Sequence, residues 1–183
     1  MTDGAGWVLI AGAALFLAAA FSPSSYVFGM KDPAAQREFL ARHARSWRWG
    51  QVPFAAGAVV SAVGLLLLGL ELDGPGCRAI RAAGALATVS ALPWVEHCRR
   101  RARSWQDFLD GRIPGWHFQV FAWGTLAALA VTGVALLRSD LPHWTGWYTL
   151  GATAVFTAFW VTVKDLPPFV FYLVTVVLGI AAL

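Results

Sequence analysis

"AIRAAGALATVSALPWVEHCRRR", running from Ala79 to Arg101, decides how this chain is folded. Arg81 and Glu96 enclose only fourteen uncharged residues, fewer than the ~20 a spanning helix needs. The flanking charges settle whether it crosses a bilayer. Five other apolar runs accompany it: Ala5–Phe21, Val52–Leu70, Phe118–Leu137, Trp144–Val163 and Pro167–Leu183. If Ala79–Val95 crosses with the rest, the loops alternate sides. One side then receives Lys31, Arg37, Arg42, Arg45 and Arg48, then Arg99, Arg100, Arg101, Arg103 and Arg112, and finally Lys164. The other side receives only Arg78, Arg81 and Arg138. If the run stays out, the second cluster changes sides and the bias disappears. Cytoplasmic loops carry the excess of Lys and Arg in membrane proteins. The expectation is therefore six spans arranged as three antiparallel hairpins, in a bacterial cytoplasmic membrane, with both termini outside. Arg81 can carry its head to the interface on its alkyl stem.

Composition agrees with one polytopic all-α membrane domain over residues 1–183. Of these residues 58% are apolar and 13% charged, against about 25% charged in soluble domains. The first run has no cation before it and contains Asp3 upstream, so it reads as a retained helix rather than a cleaved signal. The net charge of +4 flanks apolar runs, which points to anionic lipid headgroups as partners and not to nucleic acid.

The first basic loop is itself helical in pattern. Asp32 is placed to cap and Pro33 to occupy the first turn. On a helical wheel Ala35, Phe39, Leu40, His43, Ala44 and Trp47 share one arc, with Arg37, Arg42, Arg45 and Arg48 on the rest. An interfacial amphipathic helix over about 33–47 follows, entering the second span through Gly50. The second basic loop is expected to prolong the third helix as far as Asp110-Gly111.

Within these loops the tetrapeptide Ala-Arg-Ser-Trp occurs twice, at Ala44–Trp47 and Ala102–Trp105. Arg binds lipid phosphate and Trp prefers headgroup depth, so the depth itself selects the pair. Arg45, Trp47, Arg48, Arg99, Arg100, Arg101, Arg103 and Trp105 are the expected headgroup residues. Duplication of a helix hairpin is the competing explanation, but a four-residue match falls short of sustained self-similarity.

Signatures of catalysis are absent from the sequence: no CxxC, HExxH, GxSxG, Walker loop or GxGxxG. Cys77 and Cys98 lie at opposite ends of the third helix, ~31 Å apart at helical rise, too far for a disulfide. One constellation of ligand-forming residues stands at the cytoplasmic rim. Glu96, His97 and Cys98 end the third span, His117 opens the fourth, and His43 lies in the first basic loop. Two histidines on adjoining helices suit a metal or haem. The plainer reading is an interfacial ion pair of Glu96 with Arg99 and Arg100, and no cofactor is expected. Spans one, two, four, five and six carry no ionisable residue in their cores, which argues against ion-coupled transport. The fifth run holds Thr145, Thr149, Thr153 and Thr157 at four-residue spacing. Such a stripe of small hydrogen-bonding side chains marks close helix contact, here expected with the sixth run, or with a protein partner or second copy.

The functional expectation is an accessory, scaffold or channel-like membrane subunit working through helix and lipid contacts. The alternative is a binder of a lipophilic cofactor or substrate (haem, quinone or polyprenyl lipid) with redox or transferase work at the cytoplasmic rim.

Overall fold

The structure, a computed structural model, describes residues 3–164 and 167–183. It is all-helical, with no strand among the described residues. The helices are α1 (Asp3–Ala20), α2 (Pro33–Glu71), α3 (Cys77–Arg103), α4 (Trp105–Leu109), α5 (Trp116–Leu136), α6 (His143–Val163) and α7 (Phe169–Ala181), with a 3-10 helix at Pro23–Gly29. Two of them, α2 and α5, are long and apolar enough to cross a membrane. The pair of α1 and the 3-10 helix, bent by 67°, makes a third if counted as one element.

Glycines let neighbouring helices approach to backbone contact, and their partners trace the path of the chain. A side chain on Gly12 would strike Ser61, and one on Gly57 would strike the backbone of Gly12 and Phe16, so α1 and α2 pack antiparallel. Gly84 against Leu66 joins α3 to α2, Gly124 against Ser90 joins α5 to α3, and Gly146 against the Gly133 carbonyl joins α6 to α5. Gly6 and Gly179 meet each other's backbone, which brings the last long helix back onto the first. The result is an up-and-down ring ordered α1, α2, α3, α5, α6, α7, with every neighbour antiparallel.

One seam of this ring is loose. α6 lies along α5 and touches α7 only sparsely, chiefly through Phe156 and Phe171, whose rings are 6.1 Å apart. The expected tight hairpin of the last two runs is therefore corrected: α7 packs on α1. The only glycine in α6 besides Gly146 is Gly151, and it faces open space. Nothing along that seam permits the close approach that holds the other pairs. Thr145, Thr149 and Thr153 are buried, on the same face of α6 as Gly146, which is turned toward α5. Each hydroxyl donates to a carbonyl of the preceding turn, as Thr149 Oγ1 does to Thr145 O at 2.8 Å, so no polar atom is left over.

Aromatic rings from five helices fill the half of the bundle nearer the basic end. Phe16 stacks on Tyr172 at 3.8 Å and meets Phe54 edge-on at 4.9 Å. Trp94 stacks on Phe121 at 4.8 Å, and its indole N–H donates to the Phe54 carbonyl at 3.2 Å. The other half is aliphatic, built from Leu9, Leu68, Ile80, Leu129, Leu136 and Leu178. At that far end Glu71 reaches across to accept from the Ala5 N–H at 3.1 Å, satisfying one of the orphan donors of the first turn of α1. Arg81 is exposed at that end, and its Nε donates to the Gly69 carbonyl at 2.9 Å, closing the corner between α2 and α3.

At the basic end the helix from Pro33 begins under its Asp32 cap, whose carboxylate accepts from Ala34 and Ala35. It bends at His43 (φ −113°, ψ 21°) and not at Gly50. Its apolar face is covered by protein: Leu40 and Trp47 are buried with Val27, against Phe39, Trp105, Phe108 and Leu109. The helix after the second basic cluster stops at Arg103, short of Asp110. Ser104 takes extended dihedrals and caps a new short helix, accepting from the Asp107 N–H at 3.1 Å. That break turns Trp105 and Phe108 onto Trp47. The two Ala-Arg-Ser-Trp copies thus have different local structures, one within a helix and one at a helix break. Divergent geometry favours coincidence of composition over an inherited repeat.

Candidate binding site at the basic end

Three elements build the site: the last two turns of α3, the start of α5, and the end of α6. Trp94, His97 and Arg101 fall three and four residues apart on α3 and so share one face. His97 is 6% exposed and stacks on Trp94 at 5.6 Å between centroids. His117, also buried, stands 6.0 Å from it across the α3–α5 interface. The Nδ1 of His117 lies 2.9 Å from the Pro114 carbonyl. A carbonyl only accepts, so Nδ1 carries a proton. His97 makes no such bond; its Nδ1 is sealed from solvent with no partner.

Arg101 sits where an arginine is seldom found without a carboxylate. Its guanidinium lies 4.5 Å from the Phe108 ring centroid, 5.2 Å from Phe28 and 5.7 Å from Trp94. The three ring faces stabilise the cation electrostatically, while its Nε is buried without a hydrogen bond. Burial pushes its pKa down to about 10, so it remains charged at neutral pH. Burial first, and then the Arg101 charge, push His97 down to about 3, so its imidazole is neutral.

The other expected ligands are placed differently. Glu96 is held by Arg99, with contacts of 2.5 and 2.7 Å, and by Arg100 at 2.7 Å. Those hydrogen bonds hold its pKa down to about 2, so it is an ion-pair member and a poor proton acceptor. Cys98 is buried in the central cluster, and burial pushes its thiol up to about 12; a thiol so protonated is unreactive. His43 is exposed and stacked on Phe39 at 4.4 Å, away from His97 and His117. Among the described residues no three His, Cys, Asp or Glu side chains converge as a metal-ligand set. Of the expected headgroup residues, Arg45, Arg48, Arg99, Arg100 and Arg103 are exposed. Trp47 is placed elsewhere: it is buried, and its indole N–H donates to the Arg101 carbonyl at 3.0 Å. Trp105 is partly buried against the same cluster. Apolar packing in the cap holds both rings.

A cavity of about 620 Å³ opens beside these groups. His97, Arg101, Phe108, Phe118, Gln119, Trp123, Trp160 and Lys164 are among its lining residues. Sequence reasoning missed Arg101 and Lys164 as a pair. The signal for Arg101 was its register: Arg99 and Arg100 are three and four residues from Glu96 and can reach it, whereas Arg101 is five away and faces elsewhere.

No family model, curated protein or solved structure matches this chain.

The shifts on His97 and Glu96 make acid stability testable. In the unfolded chain His97 titrates near its ordinary 6.5, and in the folded protein near 3. Between those values the unfolded state binds the extra proton, so folding stability falls as pH falls. Glu96 adds a loss in the same direction only below its ordinary 4.5. The unfolding midpoint in detergent should therefore drop between pH 6.5 and 4.5, and His97→Gln should flatten that slope. An unchanged slope in the variant would mean that His97 is not held neutral.

Proposed function

We propose that this chain is a multi-pass integral protein of a bacterial cytoplasmic membrane, with six spans supplied by α1, α2, α3, α5, α6 and α7. Its basic end is cytoplasmic and both termini are outside. The observation that carries this reading is the division of charge. Eleven of the fourteen Lys and Arg residues stand at one end of an antiparallel ring, as the positive-inside rule requires. The outer faces support it. Val63, Val89, Leu92, Val134, Val155 and Ile180 are exposed on five different helices, a burden in water but not in hydrocarbon. Exposed tryptophans stand at both ends, Trp7 and Trp147 at one and Trp49 and Trp116 at the other, where interfacial belts lie. The 21 residues of α5 amount to about 31 Å, the thickness of the hydrocarbon core.

In this reading the protein is an accessory or scaffold subunit acting through helix and lipid contacts. The state of Glu96 and Cys98 speaks against acid–base or nucleophilic chemistry, and the filled aromatic centre favours a scaffold over a channel. The second reading, a binder of a lipophilic ligand at the cytoplasmic rim, is favoured by the cavity beside His97 and Arg101.

Topology is tested by cysteine labelling of intact cells in a background lacking Cys77 and Cys98. Asp73→Cys should react with an impermeant maleimide, and Gln106→Cys should react only after lysis. Both positions are exposed in the fold, so failure to label reports the barrier and not burial. The opposite pattern would invert the orientation.

A further inference from the structure

We propose that the cavity between α3, α5 and α6 binds the phosphate headgroup of an anionic lipid entering from the cytoplasmic leaflet. This rests on the membrane reading above and on its second form. Charge is the first argument. Arg101 and Lys164 both line the cavity, and among the described residues no acid does. The carboxylates near by are engaged elsewhere: Glu96 with Arg99 and Arg100, Asp107 with Arg112, and Asp110 with Arg37 and Arg112. Arg101 is thus a partly buried cation with no ion pair. The guanidinium is the second argument. Arg101 lines the cavity beside His97, and its cation is matched only by ring faces. Its Nε and the His97 Nδ1 are sealed from solvent, so a ligand meets the part of the guanidinium that faces the cavity and adds the charge-assisted contacts that the rings do not supply.

Shape distinguishes a lipid from a free ion. About 620 Å³ lies within the range of sites for whole small molecules and exceeds what one inorganic phosphate fills. The wall beside the cations is apolar, formed by Phe118, Trp123, Trp160 and Val161. Trp123 and Val161 are also 48% and 58% exposed on the outer surface of the bundle. The cavity therefore continues onto the face that the membrane reading assigns to lipid, where an acyl chain leaves it. Guanidinium binds phosphate oxygens in a planar fork, and lysine adds a point charge. Rings already hold the Arg101 guanidinium, so little ordering is left for binding to impose. Lys164 ends α6 as a left-handed C-cap (φ 58°), its N–H donating to the Trp160 carbonyl, a common helix ending that fixes where its side chain starts.

The test uses the full chain in a neutral detergent, with thermal unfolding followed against added ligand. Dioctanoyl phosphatidic acid should raise the midpoint saturably, while dioctanoyl phosphatidylcholine and inorganic phosphate should not over the same range. Lys164→Gly removes the charge and relaxes the left-handed backbone, so it keeps the fold; it should weaken phosphatidic acid binding about 10- to 100-fold. Arg101→Gln should weaken it at least as much. Equal stabilisation by inorganic phosphate would make this a free-anion site and overturn the lipid assignment. Equal response to phosphatidylcholine, unchanged affinity in Lys164→Gly, or no shift with any ligand would remove the site. A chain that needs detergent yet fails this titration loses only the site, whereas one extracted in plain buffer loses the membrane reading.

Discussion

Trp94→Ala should lower the free energy of unfolding in detergent by about 3–5 kcal/mol, the range for removing a large buried aromatic. Trp94 is 1% exposed and stands where α1, α2, α3 and α5 meet, against Phe16, Phe54 and Phe121. In the bilayer setting proposed above, the gain from leaving water is absent between helices, so dispersion contacts and polar satisfaction hold the bundle. The indole supplies both, through its stacked rings and its hydrogen bond to the Phe54 carbonyl. Truncation leaves a void that four helices cannot close together. Trp94→Phe keeps an aromatic ring and loses the N–H, so it should cost only about 1 kcal/mol for the bond plus a smaller packing loss. Thermal or denaturant unfolding of the two variants gives the comparison. An alanine variant as stable as the phenylalanine one would mean that the centre is not packed as described.

Gly57→Leu should cost about 3 kcal/mol, the upper end for overpacking. The first atom of a side chain there would fall 2.7 Å from the Phe16 nitrogen and 2.8 Å from the Gly12 carbonyl oxygen. Both are backbone atoms of α1, so no rotamer change relieves the clash and the helices must part. Gly151→Leu is the matched control. Nothing lies within 4 Å of that position, and glycine within a helix is less favourable than leucine by roughly 0.8 kcal/mol. The control should therefore be neutral or slightly stabilising. Opposite signs for two glycine-to-leucine changes in apolar helices distinguish close approach from a generic effect of bulk. Equal costs at both positions would remove the glycine contacts as the organising feature of the ring.

These two residues also show where sequence reading stops. Trp94 and Gly57 look alike in kind to Trp160 and Gly151, and nothing local separates the buried member of each pair from the exposed or partly exposed one. The same holds for the functional residues. Glu96 pairing with Arg99 and Arg100 was legible, because those partners lie three and four residues along one helix. The placing of His97 and His117 on adjoining helices was legible too, from the order of the runs, whereas the sharing of one cavity by Lys164 and Arg101 joins positions 63 residues apart. The expected place of Trp47 in the headgroup layer failed for a related reason. Its ring finds a better-packed site under Phe108 and Trp105, and those residues arrive there only because Ser104 breaks the preceding helix.

Signals that act over one or two helical turns were enough for the helical class, the near limits of the helices, the Asp32 cap and the gathering of cations at one end. Each depends on periodicity, capping or charge within a short stretch, and those forces operate wherever the stretch finally lies. Tertiary assembly alone assigned α7 to α1 instead of α6, gave the threonine face of α6 to α5 as its neighbour, and set Arg101 among three rings beside an open cavity. Such choices turn on which surfaces fit one another. Glycine contacts and ring stacking compete across the whole bundle, and the tightest set of mutual fits wins over chain proximity.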